Sequence, residues 1–229
     1  MRLTESIVWI SGAPYGMQGS VYALQHENGV ILVDCGEPGS EKVIDRNLHI
    51  WLQDAPVTHI LLTHAHVDHA GTAAYYRARG AKIICSAADV PALNHGGFTS
   101  PTPFEGMDFP SCQADIVLEE DGELELDGYH FQVYMTPGHT AGSSIYRCEI
   151  DGKTVLFTGD TVSCDGSRGE LSFPCWAGDP DFDRTVYTQS LAKIFLLKAD
   201  MLLGGHGIPC FEDPSRTIGH TYAETLRQR

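Results

Sequence analysis

An α/β fold, with two mixed β-sheets packed face to face and helices outside them, is what the sequence predicts, on three observations. Segments that read as strands outnumber those that read as helices. They fall into two blocks, each holding strands, a helix and a histidine-bearing loop. Hydrophobic residues make up 42% of the 229 positions and charged residues 20%, which is enough apolar material for a sizeable core and too much for a disordered chain. No linker divides the blocks, so 1–229 reads as a single domain.

In chain order, Ile7–Ile10 reads as the first strand. Ser20–Gln25 and Val30–Asp34 read as a hairpin around Asn28-Gly29, a pair suited to a type I′ turn. Ser40–Leu52 has helical apolar spacing at Val43, Ile44, Leu48 and Trp51, with Ser40 as its N-cap. The strand His59–Leu62 follows, then a helix over 68–79 stopped by Gly80, then the strand Ala81–Cys85. Residues 94–114, with Gly96, Gly97 and three prolines among Phe98, Phe104, Met107 and Phe109, read as a lid or packed Ω-loop. Strands resume at Ile116–Leu118, Glu123–Leu126, Phe131–Met135 and Ser144–Ile150, and Asp151-Gly152 turns into Thr154–Thr158. A second loop spans Thr161–Asp181. Thr185–Leu197 reads as helix, Met201–Leu203 as strand and Ser215–Leu226 as a closing helix capped by Ser215.

Composition excludes several classes of function. Fifteen basic against 30 acidic residues leave a net charge of −15, which disfavours a groove that tracks nucleic-acid phosphates. No apolar run reaches the length of a membrane span, and the N-terminus lacks a signal-peptide pattern. Seven scattered cysteines without a C-x-x-C pair fit a reducing compartment, so a cytoplasmic location is expected.

Eleven histidines stand out, and the strongest motif is Thr63-His64-Ala65-His66-Val67-Asp68-His69, placed between an apolar strand and a helix. His64, His66, Asp68 and His69 put four nitrogen or oxygen ligands in six residues, the donor types that zinc and similar metals take. Four such groups crowded at a strand end would stay unsatisfied without a metal. Three further turns each offer one ligand-type residue beside glycine at a strand's carboxyl end: His139 in Pro137-Gly138-His139-Thr140, Asp160 in Gly159-Asp160, and His206 in Gly204-Gly205-His206-Gly207.

Taken together these motifs resemble the metallo-β-lactamase superfamily, and within it the glyoxalase II-like hydrolases, over about residues 7–206. The resemblance implies a four-layer αββα sandwich. It also implies two zinc ions, with iron or manganese as alternatives: His64, His66 and His139 would hold one, Asp68, His69 and His206 the other, and Asp160 would bridge them. Asp34, in Val33-Asp34-Cys35-Gly36, matches the family's early Asp, which supports the metal-binding loop from behind. His69 and Asp160 stand where the Cys-ligand β-lactamases have Arg and Cys, and His66 where flavodiiron proteins have Glu. True glyoxalase II enzymes add a helical C-terminal domain that holds glutathione, whereas 23 residues follow His206 here.

The implied chemistry is attack on the carbonyl of a small-molecule acyl substrate by a metal-bridging hydroxide, with Asp68 holding the hydroxide and passing its proton to the leaving group. A thioester or lactone is expected ahead of a β-lactam or phosphodiester, with neither nucleic acid nor membrane as partner. The alternative reading is a mononuclear iron persulfide dioxygenase using His64, His139 and Asp160; a non-catalytic binding protein ranks below both. Tyr15, Met17, Phe104, Phe109, Phe173 and Trp176 are candidates for an apolar substrate wall, and Tyr15, His95 and Arg168 for polar contacts.

Overall fold

The structure is a computed structural model, and it describes residues 1–12, 18–98, 107–165, 171–173, 177 and 180–227, the side chains of 165 and 171–173 excepted. Six strands form the first sheet in the order β1 (Ile7–Ser11), β2 (Val21–His26), β3 (Gly29–Val33), β4 (Val57–Leu61), β5 (Lys82–Ser86) and β6 (Ile116–Leu118). Its first three strands run antiparallel and the rest parallel, because α1 (Glu41–Leu52) crosses over from β3 to β4 and the short helices α2 (Val67–Ala70) and α3 (Ala73–Arg77) from β4 to β5. The second sheet has five strands: β7 (Gly122–Leu126), β8 (Tyr129–Met135), β9 (Ser144–Ile150) and β10 (Lys153–Gly159) form an antiparallel meander, and β13 (Met201–Gly204) pairs parallel to β10. A small ribbon of β11 (Ser163–Asp165) and β12 (Leu171–Phe173), with the helices α5 (Arg184–Ile194) and α6 (Pro214–Arg227), completes the described elements.

Side-chain alternation along the strands divides the core into the three interfaces of a four-layer sandwich. In β3, Val30 and Leu32 point toward Ile44, Leu48 and Tyr76 of the helices, while Ile31 and Val33 point between the sheets. On the other sheet Phe157 and Leu203 meet them from across the gap, and Leu156 and Leu202 turn outward onto Tyr187, Leu191 and Ile218. Every residue of β3 is buried, as a strand covered on both faces requires.

Several local expectations are corrected. The helix expected over 68–79 is broken at Gly71-Thr72, because this point packs against the loop after β3: a Cβ on Gly71 would stand 2.5 Å from Pro38 Cδ, and Thr72 donates to Cys35 O. Ser40 sits at the N-cap of α1 but donates its hydroxyl to Glu37 O instead of capping. Asp213, not Ser215, caps α6 by accepting from Arg216 N. Part of the 94–114 loop is the end of a short helix, α4 (Val90–His95), and part of the second loop is the β11–β12 ribbon. Among the described residues no helix is long and apolar enough to cross a membrane.

Candidate metal centre

Four strands end at one edge of the sandwich, and each hands its chain to a turn carrying ligand-type residues. After β4, Thr63–His66 runs extended, fixed by Ser144 N donating to Thr63 O, before α2 begins with Asp68 and His69 in its single turn. The turns after β8, β10 and β13 bring His139, Asp160 and His206 to the same place. Gly205 is required there: a Cβ on it would lie 2.2 Å from Asp160 Oδ1 and 2.7 Å from His69 Cε1.

Seven side chains predicted as ligands converge. The donor atoms of His64, His66 and His139 lie within 4.8 Å of one another, as do those of Asp68, His69 and His206. Asp160 stands between the two trios, with Oδ1 3.2 Å from His69 Nε2 and Oδ2 3.2 Å from His206 Nε2 and 3.5 Å from His139 Nε2. His64 Nε2 and His139 Nε2 are 3.2 Å apart. Ligands around a tetrahedral ion with bonds of about 2.1 Å are separated by about 3.4 Å, so these spacings are already of ligand-to-ligand size. His69 Nε2 and Asp160 Oδ1 are buried and face each other, yet among the described residues neither makes a hydrogen bond. Buried polar atoms left in that state are explained by an ion between them, and the donor set fits a divalent metal of the zinc type.

Charge is distributed unevenly. Burial, reinforced by the neighbouring imidazoles, pushes His64 well below the ordinary histidine range, and burial outweighs Asp160 to bring His139 to about 4. Burial also opposes charge on His69 and His206, but there the carboxylates win: Asp68, Asp160 and Asp34 hold His69 well above its usual value, and Asp160 and Asp68 raise His206 to about 10. Asp160 stays ionised despite its burial because His206 and His69 face it.

Behind the ligands, Asp34 accepts from Thr63 N at 2.7 Å, from Thr63 Oγ1 at 2.8 Å and from His69 Nδ1 at 2.8 Å. Since the Thr63 hydroxyl gives its proton to Asp34, it accepts from His64 Nδ1 at 3.0 Å. One carboxylate thus fixes two imidazoles with Nε2 turned inward, the arrangement in which an outer partner sets the tautomer of a metal ligand. Asp89, buried, ties the two histidine loops together by accepting from Ala65 N, Thr140 Oγ1 and Gly142 N at 2.8, 2.9 and 2.8 Å.

A family model described as the metallo-beta-lactamase superfamily matches residues 14–206. The chain belongs to that superfamily. The superfamily binds metal ions, typically zinc, the match supports a metal-dependent hydrolase, and the cluster above is where the ions would bind. The chain is 33% identical to the hydroxyacylglutathione hydrolase GloC of Haemophilus influenzae over 188 residues, 79% of this chain and 81% of that protein. It is 26% identical to the probable metallo-hydrolase YqgX of Bacillus subtilis over 202 residues, 83% and 86% of the two chains. Against the hydroxyacylglutathione hydrolase of Albidiferax ferrireducens it is 31% identical over 62% of its own length, and the match spans 47% of that protein. Among solved structures, the subclass B3 metallo-β-lactamase of Bradyrhizobium japonicum superposes with a TM-score of 0.75 at 25% identity, covering 100% of this chain and 90% of that one. A motif mutant of the Cronobacter sakazakii metallo-β-lactamase gives a TM-score of 0.80 at 20% identity, covering 100% and 95%.

Within this metallo-β-lactamase fold the expected substrate wall fares less well than the ligands. Tyr15, Met17, Phe104, Arg168 and Trp176 lie outside the described residues, as does the side chain of Phe173. Phe109 is 7% exposed and packs with Leu93 and Cys112 in the core, and its N–H donates to Gly96 O, which folds the segment back on α4. His95 ends α4 with its side chain exposed, and no described contact joins it to the cluster. The cluster is instead flanked by residues the sequence reading did not assign to it. Phe98 stacks 5.0 Å from the His66 ring, and with Met107, Ala65, Val67 and Asp181 it lines a small recess beside His66. The only sequence cue to Phe98 was its place directly after Gly96-Gly97; Asp181 and Asp89 had none.

Proposed function

We propose that the protein hydrolyses the acyl bond of a small thioester at a two-metal site held by His64, His66, His139, Asp160, Asp68, His69 and His206. The observation that carries the two-metal reading is Asp160, whose two oxygens face both trios at 3.2 to 3.5 Å. When bound, divalent ions would supply a Lewis acid for the carbonyl oxygen and a water ionised near neutral pH. The thioester reading is supported by the similarity to GloC, which extends over most of both chains.

The protein's own groups fit that leaving group. Asp68 is held strongly ionised: burial alone would raise its pKa, but His69 and His206, 3.5 and 3.1 Å from Oδ2, bring it far down. It is therefore a hydrogen-bond acceptor that can orient a water, and being ionised it carries no proton to give to a leaving group. A thiol has an ordinary pKa of about 8.5 and departs as thiolate with little help, unlike an alcohol. Phe98 and Met107 put apolar surface beside His66.

The test is metal quantification together with thiol release. After zinc loading, two equivalents per chain and steady release of thiol from a simple acyl thioester are expected, with lactone, β-lactam and model phosphodiester turned over more slowly. One equivalent of iron with oxygen uptake on a persulfide would overturn the proposal, as would two equivalents of zinc with no thiol released.

A further inference from the structure

An imidazole that binds a metal through one nitrogen presents the other as N–H, and what accepts that N–H fixes the ring. His69 and His64 use Nδ1 for this, toward Asp34 and Thr63, and direct Nε2 inward. His66 is turned the opposite way. Its Nε2 stands 3.4 Å from Asp181 Oδ2, so Nδ1 is the nitrogen available to the cluster. The ring is held edge-on between His64 and His139, with centroids 4.7 and 4.6 Å away, and Phe98 covers it at 5.0 Å.

Asp181 is not placed at random. Two residues later Asp183 caps α5, accepting from Thr185 N and Val186 N at 2.9 and 3.0 Å, and its own N–H donates to Gly138 O at 2.8 Å. The segment bearing Asp181 is therefore fastened to the turn that carries His139, which puts the carboxylate opposite His66 from across the recess. Its side chain keeps 34% of its surface exposed, whereas that of Asp34 keeps 3%.

From this placement we propose that Asp181 is the positioning residue for His66: its carboxylate accepts Nε2–H when the metal is bound and holds Nδ1 toward the ion. The proposal rests on the metal centre, not on the identity of the substrate, so loss of the thioester reading would leave it standing. At 3.4 Å the contact is longer than a formed hydrogen bond, and metal binding is expected to tighten it.

The experiment compares zinc affinity of the full chain with Asp181→Ala and Asp181→Asn by competition with a chromophoric chelator, alongside thermal unfolding of the metal-free proteins. Asp181→Ala should weaken zinc binding about 10–100-fold, the usual cost of losing an outer partner of a histidine ligand, while metal-free unfolding stays where it was. Asp181→Asn keeps an acceptor oxygen and should recover most of that affinity. In nitrogen-15 spectra of the zinc-loaded protein, a slowly exchanging His66 Nε2–H should be present in the parent and in Asp181→Asn, and lost in Asp181→Ala. Zinc affinity unchanged in Asp181→Ala, a loss in Asp181→Asn as large as in Asp181→Ala, or a His66 ring metallated through Nε2 would each overturn it.

Discussion

His64, His66 and His139 meet without a carboxylate inside their trio, whereas His69 and His206 meet with Asp68 between them, 3.5 and 3.1 Å from its Oδ2. The same residue type therefore carries its proton differently only a few ångströms apart. On the first side burial leaves His64 and His139 neutral, ready to donate a lone pair. On the second side the carboxylates keep His69 and His206 protonated, so a metal arriving there must displace protons that already neutralise Asp68 and Asp160. Two positions that look equivalent as ligand sets are unequal as acid–base systems, and the first should fill more readily at low pH.

The change that breaks this comparison most completely is Asp160→Ala, because Asp160 serves both sides. It should reduce bound zinc to one equivalent or none and cut turnover by more than the about 10–100-fold that outer partners are worth, as read by metal analysis and thiol release. Next comes pH. The raised values of His69 and His206 mean that their protonated forms stabilise the metal-free fold fully below the ordinary histidine range near 6.5, and that this contribution fades as pH rises through those raised values, about 10 for His206. Zinc competes with those protons, so affinity at the Asp68 side should climb about a hundredfold or more from pH 6 to 8, and the His139 side much less. Titrations that give one tight equivalent at pH 6 and two at pH 8 would bear this out; equal pH dependence at both positions would remove the asymmetry.

A smaller effect is expected of Asp34→Asn, which presents an amide N–H₂ where His69 and Thr63 need acceptors. Zinc affinity should fall about 10–100-fold, and the stranded buried donors should cost about 1–3 kcal/mol in a denaturant titration. The smallest is Asp127→Ala, which serves as the control. Asp127, in the β7–β8 turn, clasps the two sheets by accepting from Thr58 Oγ1 at 2.9 Å and meeting His59 Nδ1 at 2.8 Å. Its loss should lower stability by about 1 kcal/mol and leave metal content and turnover unchanged.

The seven ligand-type residues were legible in the sequence because each lies in a local signal: His64, His66, Asp68 and His69 in one dense run after an apolar strand, and His139, Asp160 and His206 beside glycine in turns that follow strands. Strand ends and glycines are short-range features, and β6 and β9 were found at their observed bounds for the same reason. The six-residue α4, with Pro91 in its first turn, offers too short a period to read. Aromatic residues in a loop carry no address, so the sequence could not show that the Phe109 N–H reaches Gly96 O and that its side chain packs in the core.

By itself the sequence determined the two-sheet plan and the ligand-type residues that the fold brings together. Tertiary structure alone decided which nitrogen of each histidine faces inward and which imidazoles carry protons. Those depend on acceptors such as Asp34 and Thr63, which reach His69 and His64 from outside the cluster, and on the carboxylates of Asp68 and Asp160. Strand and turn chemistry acts between chain neighbours, whereas tautomer and charge are set by whatever group the fold brings within about 3 Å.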